Sequence, residues 1–191
     1  MSIRWIVGAV AGACVVGFVA GRAWSGDSDD RTAWEALNRL GAQHERLGQL
    51  AGTWTVKARV RDAKTGTFTE SDASAVFTPV LGGRFVRQEL KGKMMGGAFE
   101  GIGYLGYENA TGKYVSLWLD NLGTGWETGT GTEEETKKSI TYSMTMHGPG
   151  GAEVKARDVV TRVSEGEFTF QNYASIDGPE QLWMEFRYRR P

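Results

Sequence analysis

Two hydrophobic periods divide the chain. From Trp34, apolar residues recur at helical spacing: Trp34, Leu37, Leu40, Leu47 and Leu50 form one stripe of an amphipathic helix. Thr32 or Asp30 serves as its cap and Gly52 as its stop. Gly41 and Gly48 each weaken such a helix by about 1 kcal/mol, so it needs a surface to lie on. After Gly52 the period becomes two and stays there. Trp54, Val56, Ala58 and Val60 alternate with Thr55, Lys57, Arg59 and Arg61. The same zigzag marks residues 84–90, 99–107, 113–120, 139–146, 153–163, 167–173 and 181–190.

Glycine-bearing turns separate most of these strands, among them Lys64-Thr65-Gly66, Leu81-Gly82-Gly83, Asn109-Ala110-Thr111-Gly112 and Asp177-Gly178-Pro179. No helical stretch interleaves them, so the strands are antiparallel. About ten antiparallel strands in one flat sheet would leave long edges, which closure removes. The pattern therefore predicts an all-β fold. It is an antiparallel up-and-down barrel of about ten strands with one amino-terminal amphipathic helix, over residues 34–191.

The first 25 residues differ from the rest. Arg4 is followed by an uncharged run, Trp5 to Gly21, closed by Arg22. At about 1.5 Å per residue this reaches roughly 25 Å, and Ile3 with Ala23-Trp24 brings it near the hydrocarbon thickness of about 30 Å. Residues 1–25 read as a single hydrophobic helix that anchors the chain in a bacterial inner membrane, with the barrel on the periplasmic side. The alternative is a signal peptide cut after Ala23-Trp24-Ser25 and release into the periplasm. Residues 26–33 read as a polar linker.

Composition narrows the chemistry. A net charge of −1 gives no general attraction to nucleic acid. One cysteine, Cys14, excludes an internal disulfide, and two histidines cannot form a three-histidine centre; no metal site and no cofactor are expected. The 27 glycines, about twice the usual share, suit strands that bend sharply.

Gly52-Thr53-Trp54 opens the first strand directly after a helix, and this G-x-W resembles the motif of the calycin superfamily of lipocalins and their relatives. That resemblance implies a tryptophan, Trp54, that plugs one barrel end beneath an arginine of the last strand: Arg190, Arg187 or Arg189. A fuller pattern runs through His44, Leu47, Leu50, Leu81-Gly82-Gly83-Arg84-Phe85 and Phe99-Glu100-Gly101-Ile102-Gly103. It continues through Leu105-Gly106-Tyr107 and Trp118-Leu119-Asp120 to Tyr188-Arg189-Arg190. Over about residues 40–190 the chain is similar to the bacterial domain of unknown function fifteen-seventy-nine, which implies a barrel and no particular reaction. Glu108 departs conservatively from the aspartate expected after the tyrosine.

Gly101-Ile102-Gly103-Tyr104-Leu105-Gly106 is a literal G-x-G-x-x-G, but it lies within a strand that runs into a hairpin. No helix N-terminus follows to meet phosphate. A turn centred on residues 110–111 instead pairs Gly103 with Trp118, Gly101 with Asp120 and Tyr107 with Tyr114. Asp120 is either a ligand acceptor beside Trp118 or a turn-closing carboxylate. Arg84 either clamps an anionic group or pairs with Glu100. Trp126 sits at a barrel mouth or is an ordinary surface or core aromatic. Glu133-Glu134-Glu135 reads as a solvated turn. The expected ligand pocket comprises Trp54, Arg84, Phe85, Trp118, Asp120, Tyr142, Met144 and Phe186, and it suits a small, mainly apolar ligand. A non-catalytic envelope protein with a filled barrel is the second reading. An acid–base role for Asp120 or Glu100 is the third; no nucleophile motif accompanies either.

Overall fold

The computed structural model describes residues 28–94, 96–176 and 178–191. The anchor segment and Cys14 lie outside the described residues. Two helices precede ten strands. They are α1 (Ser28–Leu37), α2 (Ala42–Gly48), β1 (Gly52–Arg61), β2 (Phe68–Val80), β3 (Phe85–Met94), β4 (Gly97–Glu108), β5 (Lys113–Asp120), β6 (Glu127–Glu134), β7 (Ser139–His147), β8 (Glu153–Ser164), β9 (Glu167–Ala174) and β10 (Gln181–Arg189). Each strand pairs antiparallel with its sequence neighbours, and β1 pairs with β10, so the sheet closes on itself. Closure leaves no edge strand.

The single helix expected from Trp34 to Leu50 is broken. Gly41 is extended, with φ −132° and ψ −173°, and residues 38–41 form a link between α1 and α2. The carbonyls freed there find donors on the barrel. Asn109 Nδ2 donates to Leu37 O at 2.9 Å and to Arg39 O at 2.7 Å, and Arg84 donates to Asn38 O. External donors offset the loss of helical continuity. Residues 28–33, expected as linker, are the first half of α1. The helical run ends at Gly48, whereas Gly52, at φ +119°, already opens β1.

Strand parity fixes the interior. On β1, Trp54, Val56 and Ala58 are buried while Lys57 and Arg59 face water; on β8 and β9, Ala156, Asp158, Phe168, Asn172 and Ala174 face inward. The β4–β5 register is the expected one: Gly103 faces Trp118, Gly101 faces Asp120, and Tyr107 faces Tyr114 with ring centroids 5.1 Å apart. The glycines serve the tryptophan. A Cβ at Gly101 would overlap the Trp118 ring, and one at Gly103 would stand 2.9 Å from Trp118 Cε3.

The barrel has two unlike ends. At one end Trp54, Phe77, Phe168 and Tyr188 interlock, with Phe168 stacked on Tyr188 at 4.2 Å and edge-on to Trp54 at 4.9 Å. Arg190 lies over the Trp54 ring at 4.4 Å and donates to Ala51 O and Gln49 O. Trp54 Nε1 donates to Leu50 O. Arg187 and Arg189 turn instead to Glu167. Helix α2 covers part of this end. His44, buried, meets Tyr107 edge-on, and Arg46 pairs with Glu133. The opposite end is bounded by the β5–β6 loop and by the β7–β8 and β9–β10 connections.

Candidate functional site at the open end of the barrel

The residues expected to form one pocket are spread along the barrel. Trp54 belongs to the closed end. Tyr142, Met144 and Phe186 point inward at mid-barrel and are at most 5% exposed. Phe85 points outward: its strand neighbours Val86 and Leu90 are the buried residues, and its ring lies against Gly106 on the outer wall. Parity alone removes it from the lumen. Arg84 is exposed and donates to Leu81 O and Asn38 O, so it ties down the helix link and does not pair with Glu100. Glu100 lies on the outer face and pairs with Lys91 at 3.6 Å, which removes it as an internal acid or base.

Trp118 and Asp120 do belong to the open end. Trp118 Nε1 donates to Asp120 Oδ2 at 3.0 Å, and the Leu122 backbone N–H donates to Oδ1 at 2.9 Å. The carboxylate closes the turn after β5 and fixes the indole. Trp118 also stacks on Phe99. Trp126 is 67% exposed at the rim. A cavity of about 370 Å³ is lined by Trp118, Asp120, Trp126, Glu127, Met146 and His147.

Two further carboxyl groups turn inward, Glu127 at this end and Asp158 deeper, at the level of Tyr142. Glu127 starts β6 opposite Trp118 and shares the inward face with Gly129 and Gly131. Asp158 lies between Tyr142 of β7 and Asn172 of β9. It is buried and accepts a hydrogen bond from Asn172 Nδ2 at 2.7 Å. Burial pushes the Glu127 carboxyl up to about 7, helped by the charges of Asp158 and Asp120. Burial raises Asp158 to about 6, against the pull of the Asn172 hydrogen bond. Tyr142 is also raised, first by burial and then by Tyr114 and Asp158. No ion pair joins Glu127 or Asp158 to a cation among the described residues, and those residues hold no cluster suited to a metal ion.

Asp158 was legible in principle. It is the one acid on the otherwise apolar face Val154, Ala156, Val160. Glu127 was not, because β6 reads as a glycine- and threonine-rich loop.

Two other depressions lack this character. An outer-wall groove of about 540 Å³ over β1, β2 and β10 is lined by Lys57, Arg59, Glu70, Asp72, Glu185 and Arg187. Their charges are already spent on one another or on Glu167. A cleft of about 560 Å³ beside α2 has Leu47, Leu50, Trp54 and Phe168 in its floor, side chains that already build the closed end. Glu133, expected in a solvated turn, closes β6 there and accepts the Tyr114 hydroxyl at 2.9 Å.

No curated protein matches this chain. Among solved structures, the chain resembles Rv2717c from M. tuberculosis at 18% identity, with a TM-score of 0.61 over 80% of this chain and 99% of that one. A redesigned β-barrel is similar at 18% identity over 76% and 94% of the two chains, with a TM-score of 0.39. The first likeness supports the barrel and nothing about activity. The family described as a protein of unknown function, DUF1579, matches residues 39–190, from the helix link to the end of the last strand, and the chain belongs to that family.

Proposed function

We propose that this protein is a binding protein whose open barrel half takes a small, mainly apolar molecule carrying a hydrogen-bond-donating head. The amino-terminal apolar segment would tether it to the outer side of the inner membrane. One observation carries the binding reading: the Glu127 carboxyl lines the open-end cavity beside Trp118 and Met146, and Asp158 faces inward deeper in the barrel, neither with an ion-pair partner among the described residues. Burying carboxyl groups without a counter-charge costs stability. A fold that retains two of them, with raised pKa values, carries a site candidate in its lumen. A donor on the ligand would meet the Glu127 carboxyl, with Trp118 and Met146 along its apolar body.

The test is native mass spectrometry of gently purified protein, wild type beside Glu127→Gln. An added mass on the wild type, weakened in the variant, is the expected result. Repeated spectra of the bare chain alone would reject binding in favour of a barrel filled by its own side chains.

A further inference from the structure

We propose that the closed end of the barrel rests on the membrane surface, with Trp34, Leu37, Leu40 and Leu81 in the lipid interface and the carboxyl-lined mouth turned to water. The inference rests on the tethering reading above and adds an orientation and a contact surface to it.

On α1, the helix link and the β2–β3 turn, Trp34 is exposed by 57%, Leu37 by 40%, Leu40 by 45% and Leu81 by 72%. The helix link is held against the β2–β3 turn that carries Leu81. The Arg84 guanidinium bridges Leu81 O at 3.4 Å and Asn38 O at 3.3 Å. Leu40 Cδ1 lies 3.7 Å from the place a Cβ on Gly83 would occupy. Trp34 and Leu37 share a face of α1 at a spacing of three. Asn109 holds the carbonyls that follow. Exposed apolar patches of this kind mark contact surfaces.

Leu81 adds a separate observation. Its backbone has φ +52°, a conformation uncommon for a bulky residue and one that concentrates at functional positions.

The occupant follows from the chain that leads into α1. The apolar run ends at Trp24, and Ser28 begins the helix. Four Cα steps span at most about 14 Å, so α1 starts within that distance of wherever the run ends. A run lodged in a bilayer keeps the start of α1 within about 14 Å of its end, and Trp34, six helical residues on, lies at most about 9 Å further; tryptophan is enriched at the interface. A protein partner or second copy has no such constraint. Asp29, Asp30 and Glu35 on α1 outnumber Arg31, which pairs with Glu35 at 3.4 Å. The balance suits zwitterionic rather than anionic lipid.

The full chain, with Cys14→Ser, is reconstituted in phosphatidylcholine vesicles after labelling one introduced cysteine with an environment-sensitive fluorophore. Trp34→Cys and Leu81→Cys report the closed end; Thr124→Cys reports the mouth. Leu40→Cys replaces Leu81→Cys should the strained position fail to fold. Nitroxide-labelled lipid is expected to quench the closed-end probes several-fold more than the Thr124 probe. Equal quenching, or stronger quenching at Thr124, in a chain that floats with the vesicles overturns the orientation and leaves tethering intact. A chain that does not float overturns both.

Discussion

Trp118 shows how tightly single residues are fitted. Its ring fills the space over Gly101 and Gly103, and its N–H is held by Asp120. It cannot swing away from a new methyl without losing that bond. Gly101→Ala is therefore expected to destabilise the barrel by about 1–3 kcal/mol, read as a lower urea midpoint. Trp118→Leu in the same chain should recover part of the loss, and a strictly additive double mutant would show that the two do not touch. Glu127 makes a second prediction, in pH. Its folded pKa is about 7 against an ordinary value of 4.5. The folded state therefore holds this proton more tightly than the unfolded chain. The stability so contributed is full below pH 4.5 and fades as pH rises through 7. Glu127→Gln removes that dependence. Relative to wild type, the variant should gain stability between pH 5 and pH 8, by about 1–2 kcal/mol after allowance for partial exposure. Urea unfolding at both pH values checks the sign, and a gain independent of pH would contradict the raised pKa.

At the scale of elements, legibility followed what each strand turns inward. Strands β1, β4, β5 and β7 carry apolar or aromatic residues on their inner faces, and the period-two pattern reveals them. Strand β2 presents Thr69, Ser71, Ala73 and Ala75 to the lumen, and β6 presents Glu127, Gly129, Gly131 and Glu133. The β6 glycines leave room that their neighbours fill. A Cβ on Gly131 would stand 2.7 Å from Tyr142 Cδ1, and one on Gly129 would overlap Met144. A strand emptied to admit its partner's side chains loses the very alternation by which strands are recognised, and Glu127 was hidden with it. The closed end was legible through a resemblance, since G-x-W and the terminal arginines match a pattern known from other barrels. The helix break was not, because the donors that support it, Asn109 and Arg84, are distant in sequence. Arg190 ties α2's exit to β1 through two carbonyl bonds and the Trp54 ring. Arg190→Ala should cost about 1–3 kcal/mol, since hydrogen bonds from a charged donor and a cation–π contact go together. Calorimetry would register this as a lower melting temperature. Arg190→Lys should recover only part, because one ammonium cannot both stack and reach Ala51 and Gln49.

For the whole molecule, everything depends on the sheet meeting itself. Strand β10 is the closing element. It pairs with β9 on one side and with β1 on the other, joining Thr55 to Arg189 and Val60 to Met184. It also supplies Phe186 and Tyr188 to the interior, both at most 5% exposed. A chain ending at residue 180 would lose those rings and the arginine over Trp54, and would expose two edges, β1 and β9, along their full lengths. In a stacked arrangement of separate layers, removing one edge strand trims stability. In a closed barrel it opens the core to water from the side and unseats the plug as well. The truncated chain is therefore expected to lose cooperative unfolding altogether and to aggregate. Full-length protein should give one sigmoidal transition with coincident tryptophan fluorescence and far-ultraviolet circular dichroism. A truncated chain that still unfolded in a single sharp transition would mean that β1 and β9 can close without β10, and that the interior described here does not depend on closure through it.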